Sequence, residues 1–462
     1  MKDCIFKPCD IRGVYPNELN EEAVYRIARA CGTLAESSDV ILAGDVRLST
    51  PSLKEAAARG LMDAGCVVHD LGIVPTPVFY YARRRLGINP GLMITASHNP
   101  PHYNGVKIVL GELPITEREM ESIKNLAMTE KVASGRGRIL KREIVSDYED
   151  WMLRCSTELL QGAESLPKVV VDCGNGCYSE IAPRVLERAG LRVVPVFCEV
   201  DGTFPNRSPN SALPENLSEL RAAVVSTGAN FGIAFDGDGD RVSFVDEHGA
   251  FVIMDKAIAV LAANLPSPLS PGDKVVLDIK CSAAVSDTVR ALGAVPITEK
   301  SGHAYIKTRM IRERARFGGE ISGHFFYQDL NSGDDGLYTA LLMAGTVARK
   351  GPLSELAAHI PSYATTPDIR LHIDSEPHVI LDAIANAFTP EQVSRLDGVR
   401  VQLVQGWGLI RASVTEPVIT LRFEGKTPEA LRKVIEQILA PTPEIRQMVL
   451  ERWVNISSEM ED

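Results

Sequence analysis

Three times along the chain, a short apolar run stops at an aspartate-containing turn: VILAGDVRLS (40–49), VVVDCGNG (169–176) and VVLDIKCS (275–282). Each is followed by a stretch of helical length, a small-residue stop and a second apolar run. The stops are AGCVV from Ala64, AGLRVV from Ala189 and LGAVPI from Leu292. Unbroken apolar runs of this length suit strands buried on both faces, and a glycine just past a helix suits a left-handed C-terminal cap. The pattern therefore predicts strand, helix, strand, repeated three times, with parallel pairing.

The texture changes after Pro361. DIRLHID (368–374), VRVQLV (399–404), GLIRASV (408–414) and VITLRFE (418–424) read as strands, with helices near 376–388 and 427–440. This predicts a fourth, α+β unit. Polar or proline-rich stretches at 134–148, 265–273 and 361–368 are the expected linkers. The fold class is α/β: three related mixed α/β domains over 1–148, 149–254 and 255–366, and a C-terminal α+β domain over 367–462, around a central cleft. A chain of 462 residues is long enough for several cores.

Composition narrows the partners. A formal net charge of -11 lacks the basic footprint of a nucleic-acid or anionic-membrane binder, though it leaves room for a locally cationic cleft. No run approaches a membrane span, and MKDCIFKPCD has no signal-like apolar segment. Nine cysteines, an odd and scattered set, do not form a disulfide framework. Cys173 and Cys177 have no second Cys/His pair to complete a zinc site. A reducing cytoplasm is the expected location.

Four segments carry candidate chemistry. The strand-like GLMITA (91–96) runs into Ser97-His98-Asn99-Pro100-Pro101, where two prolines end regular structure and present Ser97 on a rigid loop. In GIAFDGDGDRVSFVD (232–246), Asp236, Asp238 and Asp240 alternate with glycines. Carboxylates this close repel unless a cation neutralises them, and hard oxygen ligands suit Mg²⁺ or Ca²⁺. An EF-hand competes, because Glu247 falls at its twelfth position. Arg241 at the sixth position and strand-like flanks count against it. Three protein carboxylates leave a coordination place for water or a phosphate, which favours Mg²⁺.

In GGEISGHFF (318–326), Glu320, Ser322 and His324 alternate, so an extended loop would aim Glu320 and Ser322 the same way, toward a pair of sugar hydroxyls. In Arg411-Ala412-Ser413-Val414-Thr415-Glu416-Pro417, a guanidinium, two hydroxyls and turn amides can hold a phosphate dianion, and Arg422 can join them.

In this order, the motifs resemble those of the α-D-phosphohexomutases, the family of phosphoglucomutases, phosphomannomutases and phosphoglucosamine mutases. FKPCDIRG (6–13) resembles the family's opening segment, TASHNPPHYNGVK (95–107) its phosphoserine loop, and DGDGDR (236–241) its metal loop. GEISGH (319–324) resembles its sugar-specificity loop and RASVTEP (411–417) its phosphate loop; SGHAYIK (301–307) and KCS (280–282) fit as well. The aliphatic residue between Glu320 and Ser322 is more like the phosphomannomutase/phosphoglucomutase group than phosphoglucosamine mutases.

The resemblance implies four domains around a cleft and transfer of a phosphoryl group between O1 and O6 of a hexose phosphate. A phosphorylated Ser97 and a hexose 1,6-bisphosphate intermediate would carry the transfer. It implies Mg²⁺ on Asp236, Asp238, Asp240 and Ser97, with Arg12 and Arg241 stabilising the transferring charge. Lys107 and His324 are the expected proton-transfer groups, with His303 in reserve. Lys280, His303, Glu320 and Ser322 would bind substrate, the last two at sugar hydroxyls, and Arg411, Ser413, Thr415 and Arg422 would hold the other phosphate. A phosphoglucosamine mutase and a non-catalytic sugar-phosphate sensor are the alternatives. Two positions depart from the family pattern: Cys9 replaces an aromatic residue of many members, and Val414 a usual Asn or Gly.

Overall fold

Four β-sheets follow one another along the chain in the computed structural model, whose described residues are 1–129, 131–373, 376–412 and 418–459. The first three share a plan. A central strand (Asp39–Gly44, Lys168–Asp172 or Lys274–Asp278) is flanked by two parallel strands, and the inner flank continues into an antiparallel hairpin. The hairpins are Gly91–Ile94 with Tyr103–Val109, Phe231–Phe235 with Val242–Asp246, and Phe317–Gly319 with Phe325–Tyr327. Each central strand leads into a helix (Thr50–Asp63, Ile181–Arg188, Ala283–Ala291) and then the outer parallel strand. Gly65, Gly190 and Gly293 end those helices with φ of +97°, +97° and +81°, a conformation that is costly for residues carrying a Cβ. The threefold repeat expected from the apolar runs is therefore present in the backbone.

The stretch 134–148 is not a linker. Arg138–Lys141 adds a parallel strand beside Val67–Ile73, and the helix Val145–Leu159 begins inside it. A four-residue, largely exposed edge strand, Arg138-Ile139-Leu140-Lys141, carries too short an apolar signal to be seen in sequence. Ala364–Thr365, within the second expected linker after it, likewise pairs with Gly425 and Glu424.

The first three sheets share one continuous core, in which Ile41, Phe79, Val169, Phe235, Val275 and Phe317 belong to a single apolar cluster. The helix Gly336–Lys350 runs through it, and its residues 336–347 are all buried. Tyr148 and Tyr178 both donate to the Asp335 carboxylate at that helix's N-terminus, so three segments far apart in sequence meet at one buried acceptor. The fourth sheet, with strands Ile369–His372, Val399–Leu403, Gly406–Ala412 and Val418–Gly425, has its own core under helices Pro377–Ala385, Pro428–Ile438 and Pro443–Glu459. It touches the third through the small cluster of Ile279, Trp407 and Leu409. Across that contact Glu424 accepts from Ala283 N, and within its own sheet it accepts from the Trp407 indole. Among the described residues no helix is long and apolar enough to cross a membrane.

Candidate active site

The three motif loops occupy the same place in the repeat. Ser97, the aspartate loop and the Glu320–His324 loop each connect the two strands of the antiparallel hairpin in their sheet. Packing the repeats on one core brings these three turns together.

Ser97 is buried and has φ +49°, a left-handed conformation for a residue with a side chain. Its loop is stapled by Arg47, which lies 1% exposed. That guanidinium donates to four backbone carbonyls, those of Ser97, Asn99, Pro100 and Tyr103, and pairs with Asp45 at 3.0 Å. Ser97 Oγ donates to Asp236 Oδ2 at 2.9 Å, and its amide donates to Thr95 Oγ1. Two glycines make the close approach possible. A Cβ on Gly237 would lie 2.6 Å from the Ser97 carbonyl oxygen, and Gly239 takes φ +81° against the Tyr178 ring.

Asp236, Asp238 and Asp240 each offer a carboxylate oxygen within 4.8 Å of the others. All three are buried. Asp238 Oδ2 accepts from Thr76, Thr95 and Lys107, while its Oδ1 has no hydrogen-bond partner. Lys107 lies between Asp238 and Asp240, paired to both. Burial, Asp238 and Asp240 push the Asp236 carboxyl up to about 7, so the cluster resists carrying three charges unaided. Buried hard oxygens with an orphaned acceptor fit a small divalent cation, and Asp236, Asp238 and Asp240 are the residues that could hold one. The loop is not an EF-hand: strands flank it, and Glu247 is turned away to bond Ser354.

The Glu320–His324 loop is a tight turn, not the extended segment that alternation suggested. Gly323 N donates to Glu320 O, and Glu320 N to His324 O. The turn still points Glu320 and Ser322 the same way, because both face His324 Nδ1, at 3.2 and 3.0 Å. His324 Nε2 lies 3.3 Å from Asp240 Oδ1 and 3.6 Å from Asp334 Oδ2. Burial and Arg241 oppose its charge, but Asp240 and Glu320 outweigh them and push the imidazole up to about 10. Lys107 is likewise held protonated against burial by its two aspartates. His303, with its ring 6.0 Å from that of His324, is pushed down to about 4 by burial and Lys107. Arg241 lies 3.8 Å from Asp236, and Arg12 pairs with Asp10 while donating to Asn99 in the serine loop.

The expected substrate-binding cations are more dispersed. Lys280 and Arg422 share Asp368, at 3.1 and 3.5 Å, whereas Arg411 pairs with Asp397 at 3.0 Å. Arg411 and Arg422 lie diagonally on one face of adjacent strands, since Arg411 stands opposite Thr420 and Arg422 opposite Leu409. Ser413, Val414 and Thr415 lie outside the described residues. Cys9 sits beside the Tyr305 hydroxyl, and burial pushes its thiol up to about 11.

Sequence reasoning missed several residues. Arg47 and Asp45 stand inside the first repeat motif, and that repetition was the available signal for them. Thr76 and Thr95, which bond Asp238, gave none. His98, whose Nδ1 lies 3.4 Å from Ser97 Oγ, is pushed down to about 2 by Arg241 and burial and is therefore neutral. Asp334 is buried against His324 from a segment with no distinctive pattern.

Comparison with known proteins agrees over most of the chain. The descriptions "Phosphoglucomutase/phosphomannomutase, alpha/beta/alpha" domains I, II and III match residues 3–133, 155–249 and 254–363, and the C-terminal domain matches 365–440. A phosphomannomutase/phosphoglucomutase of Pseudomonas putida is 38% identical over 96% of this chain and 98% of its own. A phosphoglucomutase of Neisseria gonorrhoeae is 34% identical over 93% and 95%. The crystal structure of a phosphoglucomutase/phosphomannomutase family protein from Burkholderia thailandensis superposes with a TM-score of 0.85 at 33% identity, covering 96% of this chain and 99% of that one.

Proposed function

This chain belongs to the phosphoglucomutase/phosphomannomutase family and is a phosphohexomutase, and we propose that Ser97 carries the phosphoryl group it moves between O1 and O6 of a hexose phosphate. The observation that carries this reading is the contact of Ser97 Oγ with Asp236 at the edge of the three-aspartate cluster. A phosphoryl group on Ser97 would stand among Arg12, Arg241 and Lys107, cations that suit its equatorial oxygens.

In the proposed cycle, the free hydroxyl of a hexose 1-phosphate attacks the phosphorus on Ser97. The new O–P bond forms as the bond to Ser97 Oγ breaks, giving a hexose 1,6-bisphosphate. The bisphosphate turns over within the cleft, and Ser97 Oγ then takes back the phosphoryl group from O1. Asp236, Asp238 and Asp240 with the Ser97 group would hold Mg²⁺, which when bound supplies positive charge against the transferring phosphoryl group. Lys107 and His324, both protonated, enter as charge-bearing donors. His303, kept neutral by burial, is the acceptor offered for the sugar hydroxyl proton.

Glu320 and Ser322 would bind the sugar's equatorial hydroxyls. Lys280, Arg411 and Arg422 would bind the phosphate that is not being transferred, with Ser413 and Thr415 completing that loop. Reorientation requires room, and the separate core of the fourth sheet, meeting the third through a small apolar cluster and a few polar contacts such as Glu424 with Ala283 N and Lys280 with Asp368, supports movement of that unit. The domains would divide near 148, 254 and 366.

Mannose and glucose phosphates are the proposed substrates, by the names of the relatives and by Ile321 in the sugar loop. Parallel assays of glucose 1-phosphate, mannose 1-phosphate and glucosamine 1-phosphate test this. Turnover of the first two above the third is expected, and a preference for the amino sugar would replace this reading with a phosphoglucosamine mutase.

A further inference from the structure

The helices Thr76–Leu86 and His303–Glu313, from the first and third repeats, face each other across a cavity of about 320 Å³ closed by residues 328–335. That volume lies within the range of small-molecule sites. Ser97, the three loop aspartates and His324 do not line it, so it is separate from the candidate active site.

Its walls are cationic on both sides. Arg83 and Arg84 come from one helix, Lys307 from the other, and Arg314 from just past that helix's end. Arg83 spends its hydrogen bonds on the carbonyls of Asn89 and Gly111, which leaves its charge uncompensated. Lys307 is 7% exposed and has no hydrogen bond or ion pair among the described residues; its ammonium sits only over the Tyr80 ring, at 4.0 Å. A buried, unpaired ammonium is costly, and here burial and the neighbouring Arg83 pull it down to about 8 despite Asp334. The acids in the wall are only partly engaged, since Asp334 Oδ2 is buried without a hydrogen-bond partner. Asp335 accepts from Tyr148, Tyr178 and two helix amides, and Asp334 faces His324. Glu112 is exposed. Trp151 and Tyr81, stacked at 5.0 Å, supply an apolar surface, and Arg84 lies over Trp151 at 4.7 Å.

We propose that this cavity is a second anion site, taking a small phosphate monoester whose phosphoryl group caps the Lys307 ammonium among the surrounding guanidinium groups. A phosphoryl group offers acceptors to the Lys307 ammonium and negative charge to the guanidinium groups of the wall, which removes like-charge repulsion between the two repeats. The aromatic wall would carry the carbon skeleton. Because Asp334 forms part of the wall and also faces His324, the site is placed to bear on the catalytic centre.

The test follows the fluorescence of Trp151 in the full chain during titration with inorganic phosphate, with Trp151→Phe assigning the signal. A saturable change is expected in the wild type and in Arg411→Ala, which removes a cation of the other proposed phosphate site. In Lys307→Met and in the surface variant Arg314→Gln, the affinity should fall about tenfold, the scale of one lost charge-assisted contact. Arg314→Gln preserves the test if Lys307→Met does not fold. A Trp151 signal that ignores phosphate, or wild-type affinity in the folded variants, would overturn the proposal. Loss of the response in Arg411→Ala alone would also overturn it, by assigning the signal to the active site.

Discussion

Ser97 and Asp236 come from different sheets, 139 positions apart, yet Ser97 Oγ donates to Asp236 Oδ2 at 2.9 Å. The contact depends on the backbones meeting: Gly237 leaves no space for a Cβ beside the Ser97 carbonyl, and Arg47 fixes that carbonyl from the other side. The distance between the proposed nucleophile and the aspartate loop is thus set by a buried guanidinium and one missing methyl group.

Gly237→Ala should therefore separate the two loops. Relief of a 2.6 Å clash requires movement of several tenths of an ångström at least, because the blocking atom is backbone. We expect kcat to fall about 10–100-fold, the scale of a small misplacement of reacting groups, with a stability loss of about 1–3 kcal/mol. Steady-state kinetics and urea unfolding measure both, and unchanged kcat would show that the contact is not needed.

Lys107→Met leaves Asp238 and Asp240 without the cation they share. Breaking a buried ion pair from one side costs about 3–5 kcal/mol. A divalent cation on the same carboxylates would offset part of that loss. The unfolding midpoint of the variant should rise more on adding Mg²⁺ than that of the wild type; equal shifts would argue against cation binding at these aspartates.

Glu320→Gln keeps the shape of a buried side chain but removes the charge facing His324. If Glu320 binds sugar hydroxyls, KM should rise about tenfold with a smaller change in kcat. Unaltered kinetics would remove Glu320 from the site.

Lys307 gives a pH signature. Its folded-state value of about 8 lies below the ordinary 10.5, so the folded protein binds the proton less tightly than the unfolded chain. The penalty is complete below pH 8 and disappears as pH rises through 8 toward 10.5. Lys307→Met should exceed the wild type in stability most at pH 7, with the difference narrowing by pH 10 in urea titrations. A difference independent of pH would contradict a buried, unpaired ammonium.

The repeat, the glycine caps and the three loops were legible in sequence because each rests on local chemistry: an apolar run, a residue without a Cβ, carboxylates crowded in one turn. The meeting of those loops was not, because it depends on how three repeats share a core. Arg47 shows the difference: its place in the repeat was visible, but its bonds to four carbonyls of the serine loop arise only once Asp39–Gly44 and Gly91–Ile94 lie side by side. Alternation makes the Glu320–His324 loop look extended, because it cannot reveal a turn closed by backbone bonds. Asp334 and Thr76 gave no signal, since a lone polar residue becomes part of a site only through its neighbours.

The most direct test of the account is ³¹P NMR of the purified protein with Mg²⁺, a trace of hexose 1,6-bisphosphate and a hexose 1-phosphate, beside Ser97→Ala. Serine and alanine bear the same left-handed backbone cost at φ +49°, so the variant should fold. The account predicts conversion to the 6-phosphate by the wild type and a rate lower by about 10³-fold or more in the variant, the scale of deleting a nucleophile. A folded Ser97→Ala protein that converts the sugar at close to the wild-type rate would contradict it.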